Sequence, residues 1–250
     1  MFLEAPRATG SAPHGPDAAD AAREAVHAAR QRFLRRGRRV RPPFGLASRP
    51  HAQELMDRLV AEDGPTTIVC EGPAGMGKSA VAEEVIGLAA DRGWPVLPFR
   101  MDEVEADDRT AQAVGSRLGL RASPAALMAQ VARGGPALLV VDQLDAVSSY
   151  SGRIPEVFEA VDEMLEALAP TPNIKVVLVA RTVDVEKDPR LTSLIGQEDT
   201  VERFALGLLD DQAVRVVLEQ GGTPPENLDT ETLALLRTPL HPCTSPSSAD

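Results

Sequence analysis

Short, unbroken apolar runs set among longer stretches of helical periodicity constrain this chain more than any other feature. Thr66–Cys70, Pro95–Arg100, Ala137–Val141 and Ile174–Ala180 are rich in Val, Ile and Leu and show no alternating polar face. Such runs need cover on both sides, which a parallel sheet held between layers of helices supplies. Between them, Ser79–Ala90, Thr110–Leu118, Pro124–Ala132 and Pro155–Leu168 carry apolar residues at helical spacing. In the last of these, Val157, Val161, Leu165 and Leu168 share one face. The pattern predicts an α/β fold, a three-layer sandwich around a central parallel sheet, with a shorter fifth strand at Thr200–Ala205. A helix is expected before the first strand, over Ala52–Leu59. Two more, over Asp211–Glu219 and Leu228–Leu236, form a small helical C-terminal extension.

With 250 residues, the chain has room for one large domain with appendages. We expect a basic N-terminal segment over 1–48, the α/β domain over 49–206, a partial helical lid over 207–240 and a tail over 241–250. The first segment opens with Pro, Gly, Ala and Ser, continues as an Ala- and Arg-rich helix from Asp17 to about Arg36, and ends in a basic cluster, Arg35 to Arg41. Ten arginines against four acids in residues 1–50 set this end apart from the rest of a chain whose net charge is -11. An acidic body argues against nonspecific nucleic-acid binding, which leaves the basic arm as the one segment suited to it. No aromatic residue interleaves with the charges of the cluster from Arg35 to Arg41, so a solvated helix end is the simpler account. Only two cysteines, Cys70 and Cys243, are present, and neither a signal-peptide pattern nor an apolar stretch near the roughly 20 residues of a bilayer span is found. A cytoplasmic protein without membrane attachment is the expectation.

The chemistry begins at the end of the first predicted strand. Gly72, Pro73, Ala74, Gly75, Met76, Gly77, Lys78 and Ser79 satisfy G-x-x-x-x-G-K-[ST] and lead through Ala80 into a predicted helix. Glycines let successive backbone N–H groups curl inward toward phosphate oxygens, and the following helix adds the positive end of its dipole. Lys78 brings a compact, mobile cation, a choice that stands out where Arg outnumbers Lys 23 to 3. The Ser79 hydroxyl is a ligand of the kind that Mg²⁺ takes. The pattern points to a bound triphosphate, ATP or ADP with Mg²⁺.

A metal held this way needs a distant acid, and the third apolar run ends in Asp142. Asp145 follows three residues later, placed to polarise a water. Ser79 and Asp142 are thus the candidate metal ligands. The fourth run ends in Arg181, at the carboxyl edge of a parallel sheet where ligands bind, and a γ-phosphate contact or a surface pairing with Asp184 or Glu186 are its two readings. The candidate catalytic set is Lys78, Asp142, Asp145 and Arg181, with Arg153 a weaker candidate for an arginine acting between subunits. His14, His27, His51 and His241 lack ligand spacing, so no zinc site is expected.

From Arg49 to Leu240, this order of strand, phosphate loop, Asp-x-x-Asp and strand-ending arginine resembles the signal-transduction ATPases with numerous domains. These are P-loop NTPases related to the AAA group, including its NACHT-like and origin-recognition-like branches. Asp142-Gln143-Leu144-Asp145 is similar to the NACHT-type Asp-Gly-Leu-Asp pattern, with Ala146 where an acid is common. The resemblance implies strand order 5-1-4-3-2, and it places Pro239, in Thr238-Pro239-Leu240, near the adenine. It also implies a nucleotide-dependent regulatory switch that works through a protein partner or self-association, with slow hydrolysis. Only 45 residues follow Ala205, so a truncated or minimal module is expected. A non-hydrolysing nucleotide-dependent interaction module and a small-molecule phosphotransferase are the rival functions on the same loop.

Overall fold

The computed structural model describes residues 16–38, 50–196, 201–209 and 211–220, with Glu231 and Arg237. Its centre is a sheet of five strands: β1 (Thr67–Gly72), β2 (Val96–Arg100), β3 (Ala137–Asp142), β4 (Ile174–Arg181) and β5 (Val201–Ala205). Every pairing is parallel and the order is β2-β3-β4-β1-β5, the expected 5-1-4-3-2 read from the other edge. All six residues of β1 and all six of β3 are buried, which accounts for their continuous apolar character. Strand β5 lies at an edge and buries only Phe204 fully, and it is correspondingly the most polar run.

Alternate strand residues feed two cores. Val69, Leu97, Phe99, Leu139, Val141, Val176 and Leu178 face helices α4 (Ala111–Arg117), α5 (Pro124–Ala132) and α6 (Phe158–Leu168). Ile68, Cys70, Val96, Leu138, Val140, Val177 and Val179 face α2 (Pro50–Val60) and α3 (Lys78–Asp91). On α2, Leu55, Met56 and Leu59 are wholly excluded from solvent. Each such side chain contributes about 1.5–3 kcal/mol of transfer free energy, and that contribution fixes α2 against the helix that follows the glycine loop.

The N-terminal helix α1 (Pro16–Arg38) is not a free arm among the described residues. Ala22, Val26 and Ala29 enter the first core and Phe33 the second, at spacings of one helical face. The helix therefore runs along β2 and covers that edge of the sheet. Its last turn meets α3: a Cβ on Gly37 would stand 1.7 Å from Glu83 Oε1.

Element boundaries differ from the sequence reading in instructive places. Strand β1 continues two residues past Cys70 because the buried Glu71 carboxylate is gripped by both Arg203 Nε and Nη2 at 2.9 Å, so a charged residue holds a core strand position. The helix expected from Pro155 begins as a 3₁₀ turn, Pro155–Val157, before α6. Two short helices not anticipated, α7 (Thr182–Lys187) and α8 (Pro189–Gly196), fill the connection from β4 to β5. Helix α9 (Asp211–Gln220) matches the helix expected there. The helix expected over Leu228–Leu236 lies outside the described residues apart from Glu231, as do the tail 241–250 and the loop at Pro239.

Candidate functional site

The carboxyl edge of the sheet gathers the singled-out residues. Gly72 closes β1, and α3 begins at Lys78, so residues 73–77 form a loop between them. Gly75 and Gly77 take φ of 80° and 78°, a left-handed conformation that side chains resist and that turns the backbone amides into the loop. The Lys78 ammonium donates to the carbonyls of Gly72 and Pro73, each at 2.8 Å. Burial pulls it below the ordinary lysine value, with the negative charge of Asp145 acting the other way.

Ser79 stands in the first turn of α3, and its Oγ donates to Asp142 Oδ1 at 3.1 Å. Strand β3 delivers Asp142 to this point with 1% of its side chain exposed. Oδ1 also accepts the Gln143 amide at 2.9 Å, whereas Oδ2 accepts no hydrogen bond. Burial raises the Asp142 carboxyl, against the attraction of Arg100 and the hydrogen bond from Ser79. Gln143 turns the chain with a left-handed φ of 59°, costly for a residue with a side chain and held here by that amide bond. A hydroxyl beside a buried carboxylate with one oxygen unpartnered is a hard-oxygen site of the kind Mg²⁺ prefers. Among the described residues no cluster of three or more His, Cys, Asp or Glu side chains could hold an ion alone, so a cation here depends on ligand oxygens as well.

Arg181 closes β4 directly beside Gly72 of β1 in the parallel register. Its Nε lies 3.0 Å from Asp145 Oδ2 and 3.0 Å from Asp184 Oδ2, and its Nη2 donates to Ser151 Oγ at 2.8 Å. Ser151 Oγ donates in turn to Asp184 Oδ1. Of the two partners named in the pairing reading, Asp184 is met, in a buried rather than a surface position, while Glu186 stands 3.9 Å from Arg203 instead. Arg153 is exposed, and its Nη2 donates to the Met101 carbonyl at 3.3 Å.

The loop, Lys78, Ser79, Asp142, Asp145 and Arg181 therefore meet at one edge. Sequence reasoning missed three contributors. Arg100 closes β2 opposite Asp142 of β3, and its Nη1 lies 3.8 Å from Asp142 Oδ2. The signal was available, since Arg100 ends an apolar run as Arg181 does. Asp188 and Arg190 were also missed. Asp188 accepts the Ser149 amide at 2.6 Å, and Arg190 reaches the carbonyls of Val147 and Pro155 at 2.9 and 3.0 Å. Together they pin the segment after Asp145 to the turn between α7 and α8.

No protein-family model matches the chain, and no curated protein matches it. Solved structures do. AMPPCP-bound DnaA from Aquifex aeolicus superposes with a TM-score of 0.51 at 16% identity, over 78% of this chain and 57% of that one. A Walker-type ATPase of Pyrococcus abyssi gives 0.53 at 13% identity, over 78% and 64%. The chain spans less than two thirds of either structure's length. No helix of the described residues is long and apolar enough to cross a membrane. With its five parallel strands in the order 5-1-4-3-2 and helices on both faces, the chain has the fold of the P-loop ATPases.

Proposed function

We propose that the chain binds ATP and ADP with Mg²⁺ and acts as a nucleotide-dependent regulatory switch with slow hydrolysis. The observation that carries this reading is the Ser79–Asp142 contact beside the left-handed Gly75 and Gly77, with Lys78 at the head of α3. In this reading the amides of residues 74–79 and the Lys78 ammonium hold the phosphates, while Ser79 Oγ and Asp142 hold the metal. The bound cation would neutralise charge on the β- and γ-phosphate oxygens. Asp145 orients water at the γ-phosphate end, and Arg181 senses whether that phosphate is present. The DnaA structure, bound to an ATP analogue, supports a nucleotide as ligand.

Slow turnover follows from the pairing of Asp145. A carboxylate whose Oδ2 lies 3.0 Å from Arg181 Nε is occupied by the arginine, and it is free to orient a water only once the arginine is drawn away. The same ion pair favours a second reading, a nucleotide-dependent interaction module that does not hydrolyse at all. Switching through a protein partner or self-association belongs to both.

Calorimetric titration with ATP, ADP and GTP, with and without Mg²⁺, tests the binding reading. Lys78→Ala is expected to weaken nucleotide affinity by at least about tenfold, and unchanged affinity overturns it. Single-turnover ATP cleavage separates the two readings: measurable cleavage that Asp145→Asn abolishes supports hydrolysis, and none in the parent supports the interaction module.

A further inference from the structure

Four charged side chains run in alternating sign from α1 to the candidate metal site. Arg36, near the end of α1, places Nη1 2.7 Å from Glu103 Oε1 and Nη2 3.6 Å from Asp102 Oδ2. The Arg100 fork donates to the same carboxylate, Nε to Oδ1 at 3.0 Å and Nη2 to Oδ2 at 3.2 Å. Its remaining nitrogen, Nη1, faces Asp142 Oδ2 at 3.8 Å. Two features make this more than a surface network. Asp142 Oδ2 is a buried oxygen that accepts no hydrogen bond, and Asp102 Oδ2 is shared by two guanidinium groups that compete for it.

We propose that Arg100 is a positioning residue acting as a built-in counter-cation for Asp142, and that Asp102 couples it to the docking of α1. The inference rests on the nucleotide reading above. A metal ion on Asp142 and the Arg100 guanidinium favour the same carboxylate, so each weakens the other's hold. As a metal–nucleotide complex binds, Arg100 shifts its charge onto Asp102 and loosens the Arg36 contact. Conversely, Arg36 seated on Asp102 leaves Arg100 for Asp142 and lowers metal affinity. Such coupling is reciprocal by thermodynamic necessity.

The test uses the full chain with ADP and Mn²⁺, whose free ion is counted by electron spin resonance, together with amide hydrogen exchange over 16–38. Arg100→Gln is expected to bind Mn²⁺ in the ADP complex about fivefold tighter, and Arg36→Gln tighter by a smaller factor. Asp102→Asn is expected to bind it about fivefold more weakly, because Arg100 then turns wholly to Asp142. In the parent, Mn²⁺ with ADP speeds exchange in the last turn of α1, and Asp102→Asn removes that response. A residue of merely structural importance would weaken binding whichever sign of charge was removed. Shifts in one direction for all variants, no shift, or exchange in α1 that ignores the metal overturns the coupling. If Arg100→Gln fails to fold, the opposite signs for Asp102→Asn and Arg36→Gln decide the matter. A parent that binds neither ADP nor Mn²⁺ overturns the nucleotide reading and this coupling with it.

Discussion

Arg181 and Asp184 face one another at 3.0 Å, the arginine one-third exposed and the carboxylate wholly buried. Asp184 keeps a hydrogen bond from Ser151, but the charge that balances its burial comes from Arg181. Removing the cation leaves a buried anion without its partner, which costs more than the pair itself contributed. Arg181→Ala is therefore expected to lower stability by about 1–3 kcal/mol in urea unfolding, besides any effect on nucleotide response. An unchanged midpoint would show that water already screens Asp184. Any activity defect of Arg181→Ala has to be read beside this measurement.

Asp188 gives the segment after Asp145 a dependence on acid. Burial raises its carboxyl, but hydrogen bonds from Arg190 and the Ser149 amide outweigh that and bring it from 3.8 down to about 2. The group is more acidic folded than unfolded, so its stabilisation is complete above the unfolded value and disappears as pH falls through the folded one. Urea midpoints measured from pH 5 down to pH 2 are expected to decline in the parent between about 4 and about 2. Asp188→Asn is expected to start lower and decline less steeply over that window. Parallel acid limbs would assign the loss to other carboxylates.

The sheet was legible because β1, β3 and β4 are buried on both faces, which leaves no room for a polar periodicity. The loop and Asp142 were legible for the same reason: the candidate site sits at the ends of runs that can be read. The docking of α1 was hidden by its composition. Its buried stripe of Ala19, Ala22, Val26 and Ala29 is small-sided, and the arginines around it look like a solvated arm. Arg36 contacts Asp102 and Glu103, and Arg32 donates to the Leu118 carbonyl at 2.7 Å, contacts far apart in sequence that no local pattern encodes. Asp145 meets Arg181 because β3 and β4 are neighbours in the sheet, and Arg190 reaches Val147 from α8, which is too short to show a period.

Glu71 poses a related question for the strand that carries the loop. It is 3% exposed, one residue before Gly72, and Arg203 on the edge strand grips both its oxygens. Arg203→Ala is expected to cost about 1–3 kcal/mol, whereas the double change Glu71→Gln with Arg203→Ala recovers part of that, since no buried charge is left alone. A double variant no more stable than Arg203→Ala would mean that the contribution of Arg203 is packing along β5.

The left-handed glycines offer a way to separate loop geometry from stability. Gly77 has φ 78° and ψ 22° and gives its carbonyl to the Val81 amide at 3.0 Å, so it fixes both the entry to α3 and the direction of the loop amides. Gly93, in the turn before β2, has the same φ of 78°, and a Cβ there would meet nothing within 4 Å. Alanine at either position carries a similar backbone penalty of about 1–2 kcal/mol in the left-handed conformation. Gly77→Ala and Gly93→Ala are thus expected to lose similar stability. Nucleotide affinity is expected to fall about tenfold or more for Gly77→Ala and to remain at the parent value for Gly93→Ala. Equal affinities in the two variants would separate the loop amides from phosphate binding, because both positions share a φ of 78°.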